Sequence, residues 1–120
     1  MAFRFNQFKV YKDALVLHKK IVILTKTFSG EFYYLKDQLR RSSLSIVLQI
    51  AEGSAKRSDK DFNRYVEMGM GSANETAAGL NVCYEQGLTS EKEYRDLLLL
   101  CEEIVNQLGG LSKKLLLVGG

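Results

Sequence analysis

Not one proline occurs in the 120 residues of this chain. Proline deletes a backbone donor and clashes with the preceding helical turn, so a chain without it can run long uninterrupted helices. An all-β sandwich would need more turn punctuation than is present here. Apolar spacing agrees, because hydrophobic residues recur at three- and four-residue steps and nowhere alternate long enough to make a strand.

Four helices follow from that spacing. The first is expected over 8–28, with Val10, Ala14, Leu17, Ile21, Leu24 and Phe28 on one stripe, and Ser29-Gly30 ends it. The second covers 33–54 and faces Leu35, Leu39, Ser42, Ser43, Ile46, Ile50 and Gly53 inward. The third covers 58–86: Ser58 stands at its cap, Asp61 where a capping-box partner would reach back, and Gly87-Leu88 beyond its end. The fourth covers 90–117, capped by Thr89 or Ser90, with Tyr94, Leu98, Cys101, Val105, Leu108, Leu111 and Leu115 inward and Gly119-Gly120 fraying. A conjugation tail of the ubiquitin kind is rejected for Gly119-Gly120, since such modifiers are strand-rich. Short connections force neighbours antiparallel, so the expected fold is all-α, an up-down-up-down four-helix bundle forming one domain over 1–120.

With 46% apolar and 26% charged residues, the profile is that of a soluble protein. The apolar runs fall far short of the ~20 residues a membrane helix needs, and Met1-Ala2-Phe3-Arg4-Phe5-Asn6 lacks a signal-peptide core. Cys83 and Cys101 sit in apolar helical patterns without a CxxC, which predicts free buried thiols in a reducing cytoplasm.

Two helices carry more apolar surface than one bundle can cover. On the first, Val16 and Ile23 lie nearly opposite the core stripe. On the second, Leu44, Leu48 and Ala51 lie away from it, with Val47 bridging. Exposed strips of this kind mark protein–protein contacts, so self-association is expected. Arg41 falls on the side of Asp37, Leu48 and Glu52, as an ion pair at a subunit contact would. Arg40 falls towards Lys36 and Val47, where it should be freer. The candidate subunit interface is therefore Val16, Ile23, Arg40, Arg41, Leu44, Leu48 and Glu52. On the third helix Gly69, Gly71 and Gly79, with Ser72, Ala73, Thr76 and Ala77, form a belt of small residues that a close helix approach would explain. A phosphate loop at Gly69-Met70-Gly71 is rejected: no strand precedes it and no Lys-Ser/Thr follows.

Catalytic chemistry finds little to work with. His18 is the single histidine, and the residue three before it is Leu15, so the paired Glu-x-x-His of dimetal bundles is missing. Nothing around His18 forms a nucleophile elbow, and it reads as structural. No enzyme, metal or cofactor is expected. Basic residues are the remaining signal. Residues 1–64 hold 13 Lys/Arg against 6 Asp/Glu, a balance of +7, while 65–120 hold 4 against 8, a balance of −4. Lys12, Lys19 and Lys26 repeat every seven residues, with Lys9 and Lys20 nearby. Lys56, Arg57, Lys60 and Arg64 cluster around the third helix start. Lys12, Lys19, Lys26, Lys56, Arg57, Lys60 and Arg64 are the candidate nucleic-acid surface, for RNA or DNA. The competing reading is a scaffold that binds another protein and uses its charges for solubility and subunit pairing.

The chain resembles the bacterial four-helix-bundle proteins encoded within intervening sequences of large-subunit ribosomal RNA genes, a family related to accessory proteins of diversity-generating retroelements. Phe8-Lys9-Val10-Tyr11-Lys12-Asp13-Ala14, Gln38-Leu39-Arg40-Arg41-Ser42-Ser43-Leu44-Ser45-Ile46 and Ile50-Ala51-Glu52-Gly53 carry the resemblance. So do Asp59-Lys60-Asp61-Phe62, Gly71-Ser72-Ala73-Asn74-Glu75 and Leu88-Thr89-Ser90-Glu91-Lys92-Glu93-Tyr94. Val47 and Gln49 stand where that family tends to have proline and asparagine, which implies a straighter second helix. The resemblance implies a homopentamer and, in the retroelement branch, a basic nucleic-acid-binding surface and a reverse transcriptase as partner. It implies no established activity.

Overall fold

A computed structural model describes residues 3–119. It holds four α-helices: α1 (Lys9–Thr25), α2 (Tyr33–Ser54), α3 (Asp59–Glu85) and α4 (Glu91–Gly119). There is no strand among the described residues. α1 packs on α2 and α4, α3 packs on α2 and α4, and the diagonal pairs stay more than 8 Å apart between Cα atoms. Sequential neighbours around a ring are what an up-down-up-down four-helix bundle requires. The molecule measures 46 × 26 × 20 Å.

Helix ends follow their local chemistry. The Ser58 hydroxyl accepts the Asp61 amide at 3.1 Å and starts α3. The second half of the expected capping box is absent, because the Asp61 carboxylate turns to Arg64, 3.7 Å away. α4 is capped by Ser90 rather than Thr89, with the Glu93 amide donating to the Ser90 hydroxyl at 3.1 Å. Gly87, at φ +73°, closes α3: its amide reaches the Tyr84 carbonyl and the Leu88 amide the Cys83 carbonyl, a Schellman pair.

Three expectations need correction. α1 stops at Thr25, not at 28, since its last turn is diverted. Arg40 of α2 donates to the Val22 carbonyl at 3.1 Å and to the Thr25 hydroxyl at 2.9 Å, and Lys26 then bonds Ile23 in a tighter turn. Phe28 still packs on the core, from a turn instead of a helix. α4 is rotated from its expected phase, so that Leu97 and Ile104 are buried while Tyr94, Leu98 and Val105 stand at the border. Finally, α4 runs on to Gly119, past the expected end at 117; the fraying expected of Gly120 lies outside the described residues.

The core is continuous, with Leu17, Ile21, Leu39, Ile46, Ile50, Phe62, Val66, Leu80, Ile104 and Leu108 fully buried. The α2–α3 seam is close. A methyl group on Gly53 would meet the Tyr65 Cβ at 2.6 Å, and one on Gly79 would meet the Leu39 Cδ2 at 2.7 Å. Gly69 makes ordinary contacts only, and Gly71 faces nothing within 4 Å, so the small-residue belt is real at Gly79 but does not include Gly71. Hydroxyl pairs cross the same seam, Ser42 to Thr76 at 2.8 Å and Ser45 to Ser72 at 2.9 Å. The short turn at Arg4–Gln7 is pinned across the bundle end. Arg4 donates to the Ser54 carbonyl at 3.3 Å and lies over the rings of Phe8 and Phe62.

Candidate assembly and nucleic-acid surface

α1 and α2 carry the candidate residues on their outer sides. Val16, Ile23, Leu44 and Leu48 are between 41% and 56% exposed. Single exposed aliphatics are ordinary on a protein surface, whereas rows of them mark contact sites. The excess is wider than expected, because Met68, Val82, Leu99 and Leu116 on α3 and α4 are exposed as well. Val47, placed at the border from the sequence, is buried. Ala51 is half-buried.

The paired arginines separate. Arg41 is exposed and holds Asp37 at 2.8 Å along its own helix, so that ion pair forms within one chain. Arg40 is not free. Its two bonds, to the Val22 carbonyl and the Thr25 hydroxyl, make it an internal cap on the C-terminal turn of α1. It therefore serves the fold and is not the free side chain its position suggested. Glu52 is exposed on the row of Arg41, Leu44 and Leu48 and makes no ion pair among the described residues.

The basic residues also divide. Lys12, Lys19, Lys20 and Lys26 are exposed along α1 and pair with no carboxylate among the described residues. Lys9 is held by Asp13 at 2.7 Å. The corner cluster is weaker than its sequence density implies. The Lys56 ammonium rests 5.0 Å over the Tyr65 ring and Arg64 is drawn to Asp61, which leaves Arg57 and Lys60 as its two unengaged cations. Wound at about 100° per residue, Lys12 and Lys19 run beside Val16 and Ile23 on one face of α1, and Lys26 follows in the turn just past its end. The two candidate surfaces are thus adjacent.

His18 lies between α1 and α2, its Nδ1 2.8 Å from the Ser43 hydroxyl. Burial, and then the neighbouring Arg40 charge, hold its pKa below the ordinary value of 6.5. Burial pushes the Cys83 thiol up to about 11 and the Cys101 thiol to about 12, so neither is a nucleophile at neutral pH. Among the described residues no group of three or more His, Cys, Asp or Glu gathers as metal ligands would. No described helix is long and apolar enough to cross a membrane.

Fold and surface together define a small helical bundle whose outward features are apolar rows and unpaired lysines. The chain belongs to the 23S rRNA-intervening sequence protein family, which its residues 6–110 match. A solved structure described as a protein of unknown function from the S23 ribosomal protein family of Bacteroides thetaiotaomicron is similar, with a TM-score of 0.80 and 25% identity. The alignment covers 87% of this chain and 98% of that one. Neither description names an activity. No curated protein matches the chain.

Proposed function

We propose that the protein is a non-catalytic, self-associating bundle that holds a strand of nucleic acid along the lysine row of α1. One observation supports this reading above others: Lys12 and Lys19 on α1 and Lys26 just past its end are exposed and pair with no carboxylate among the described residues, whereas Lys9, Arg41, Arg64, Lys92 and Arg95 each hold one. Lysines left unpaired at a helical repeat of about 10 Å are free to release counterions from a phosphate backbone. Assembly matters because the chain carries only +3, too little for strong binding by one copy. A ring of five copies, as the family resemblance implies, would multiply the row.

Binding of labelled single-stranded RNA and of duplex DNA across a salt series tests the proposal. The expected result is affinity that falls steeply with salt, with a log–log slope reduced by roughly 0.7 to 0.9 for each lysine contact removed as Lys12, Lys19 and Lys26 become alanine. Absence of binding at low salt would refute it. In that case the exposed rows at Leu44 and Leu48 favour the second reading, a scaffold that binds another protein, with a reverse transcriptase as the partner in the retroelement branch.

A further inference from the structure

Three rings form a ladder at the start of the chain. Phe3 stacks on Phe5 with centroids 5.2 Å apart and planes 11° from parallel, and Phe5 packs on Tyr11 of α1 at 4.7 Å. Exposure rises outward along it: Tyr11 and Phe5 are half-buried, and Phe3 is 64% exposed. The turn beneath holds the outer ring in place. The Asn6 amide donates to the Phe3 carbonyl at 3.1 Å and the Phe8 amide to the Phe5 carbonyl at 3.2 Å. Arg4, between the two phenylalanines, is tied to Ser54 and seated over Phe8 and Phe62. A ring already fixed this way loses little freedom when something docks on it.

Cations flank the ladder. Tyr11 lies on the α2 side of α1 with His18, and Lys12 opens the lysine row about 100° further round, with exposed Leu15 between them. Arg57 and Lys60 stand at the same end of the bundle, where Arg4 joins the last turn of α2 to the first of α3. Of the acids around these helix ends, Asp13 holds Lys9 and Asp61 draws Arg64, while Glu52 and Asp59 hold no cation. Arg4, Lys12, Arg57 and Lys60, none paired with a carboxylate among the described residues, leave the balance positive.

We infer that the ladder is a stacking platform for an unpaired base of single-stranded nucleic acid, whose backbone then runs onto Lys12 and the row beyond. Ring stacking and phosphate pairing are the two contacts by which proteins hold single strands. A duplex keeps its bases stacked on one another and leaves the platform little to take. A lipid surface would need apolar side chains spread over one plane, whereas these rings pile on one another with a single ring outermost. This rests on the strand-binding reading above and adds that the ligand is single-stranded and where its base sits.

The chain has no tryptophan, so Phe3→Trp places one reporter on the platform while keeping an aromatic ring there. Its emission is expected to quench on binding short oligothymidylate or oligouridylate at low salt, and not on binding an abasic oligonucleotide of equal length. Phe3→Leu is expected to weaken the base-bearing strands about tenfold with an unchanged salt slope, and to leave the abasic strand unaffected. Lys12→Ala is expected to lower the salt slope and weaken both kinds of strand alike. Circular dichroism should show unchanged helicity in each variant. Equal affinity for base-bearing and abasic strands, or no effect of Phe3→Leu, would overturn the platform and leave the lysine row standing. Absence of binding by any strand at low salt would remove both. Phe3→Trp emission that shifts with phosphatidylserine vesicles and with neither kind of strand would overturn the platform in favour of a lipid surface.

Discussion

The α2–α3 seam and the α1–α4 seam are built from the same kind of helices and end up opposite in character. α2 and α3 approach so closely that Gly53 and Gly79 have no space for a methyl group, and hydroxyl pairs satisfy each other between them. α1 and α4 are held by Gln107 donating to Asp13 at 2.7 Å, and elsewhere leave a groove with Ile23 at its edge. Small residues let backbones approach and fix one register. Branched residues facing an open seam leave surface for another molecule. The bundle therefore closes tightly along one seam and leaves the other open.

The sharpest way to break the closed seam is Gly53→Ala. Its new Cβ would sit 2.6 Å from the Tyr65 Cβ and 3.0 Å from the Phe62 ring, and a Cβ cannot swing away as a side-chain tip can. We expect a loss of about 2–4 kcal/mol, despite the better helix propensity of alanine, read as a lower urea midpoint at fixed protein concentration. A midpoint at or above that of the wild type would mean the seam is looser than described.

Next in size is the hydroxyl pair. Thr76 donates to the Ser72 carbonyl at 2.9 Å, which leaves Ser42 as donor to Thr76. Thr76→Val strands the buried Ser42 hydroxyl with only its longer contact to the Leu39 carbonyl, and should cost about 1–2 kcal/mol. Ser42→Ala in the same chain should add less than it costs alone, because both partners are then gone. Strict additivity would show that the pair contributes nothing as a pair.

How far the sequence reveals this contrast depends on the range of the interactions. Helix number, the Ser58 and Ser90 caps and the glycine end at Gly87 are written within four or five residues of one another, and they are legible. The phase of α4 is not, because Leu97-Leu98-Leu99-Leu100 offers an apolar residue at every angle and only packing selects Leu97. The end of α1 is hidden for another reason: the residue that sets it, Arg40, lies fifteen positions from Thr25. That same reach ties half-buried Arg40 to α1, although its sequence neighbours look like a contact motif. The lysine row is legible as a repeat on a helix. The weakness of the Lys56–Arg64 corner is legible in part, since Asp61 stands three residues before Arg64, but the seat of Lys56 over Tyr65 is set by packing. The groove has no local signature, being a gap between segments some seventy residues apart.

Gly71→Ala is the control within α3, two turns from Gly79 and facing open space. Alanine there costs no contact and restores helix propensity, so stability should rise by about 0.5–1 kcal/mol. A loss would mean that Gly71 meets a second copy, and dilution would separate that case by relieving the penalty.

The smallest effect concerns pH and the α1–α2 seam, where His18 meets Ser43. Its folded pKa lies below 6.5 because burial and then Arg40 disfavour the cation, so the unfolded chain takes up a proton first as pH falls. The stability that neutral His18 confers is complete above pH 6.5 and is lost as pH drops through the lowered folded value. Asp13 acts in a separate window. Burial alone would raise its pKa, but bonds from Lys9 and Gln107 hold it below 3.8, so its contribution is lost only in stronger acid. Urea midpoints between pH 7 and 5 should therefore decline modestly in the wild type and stay flatter in His18→Gln, which keeps a polar group near Ser43 without a titrating one. Parallel declines in the two proteins would place the proton elsewhere and remove His18 from the account.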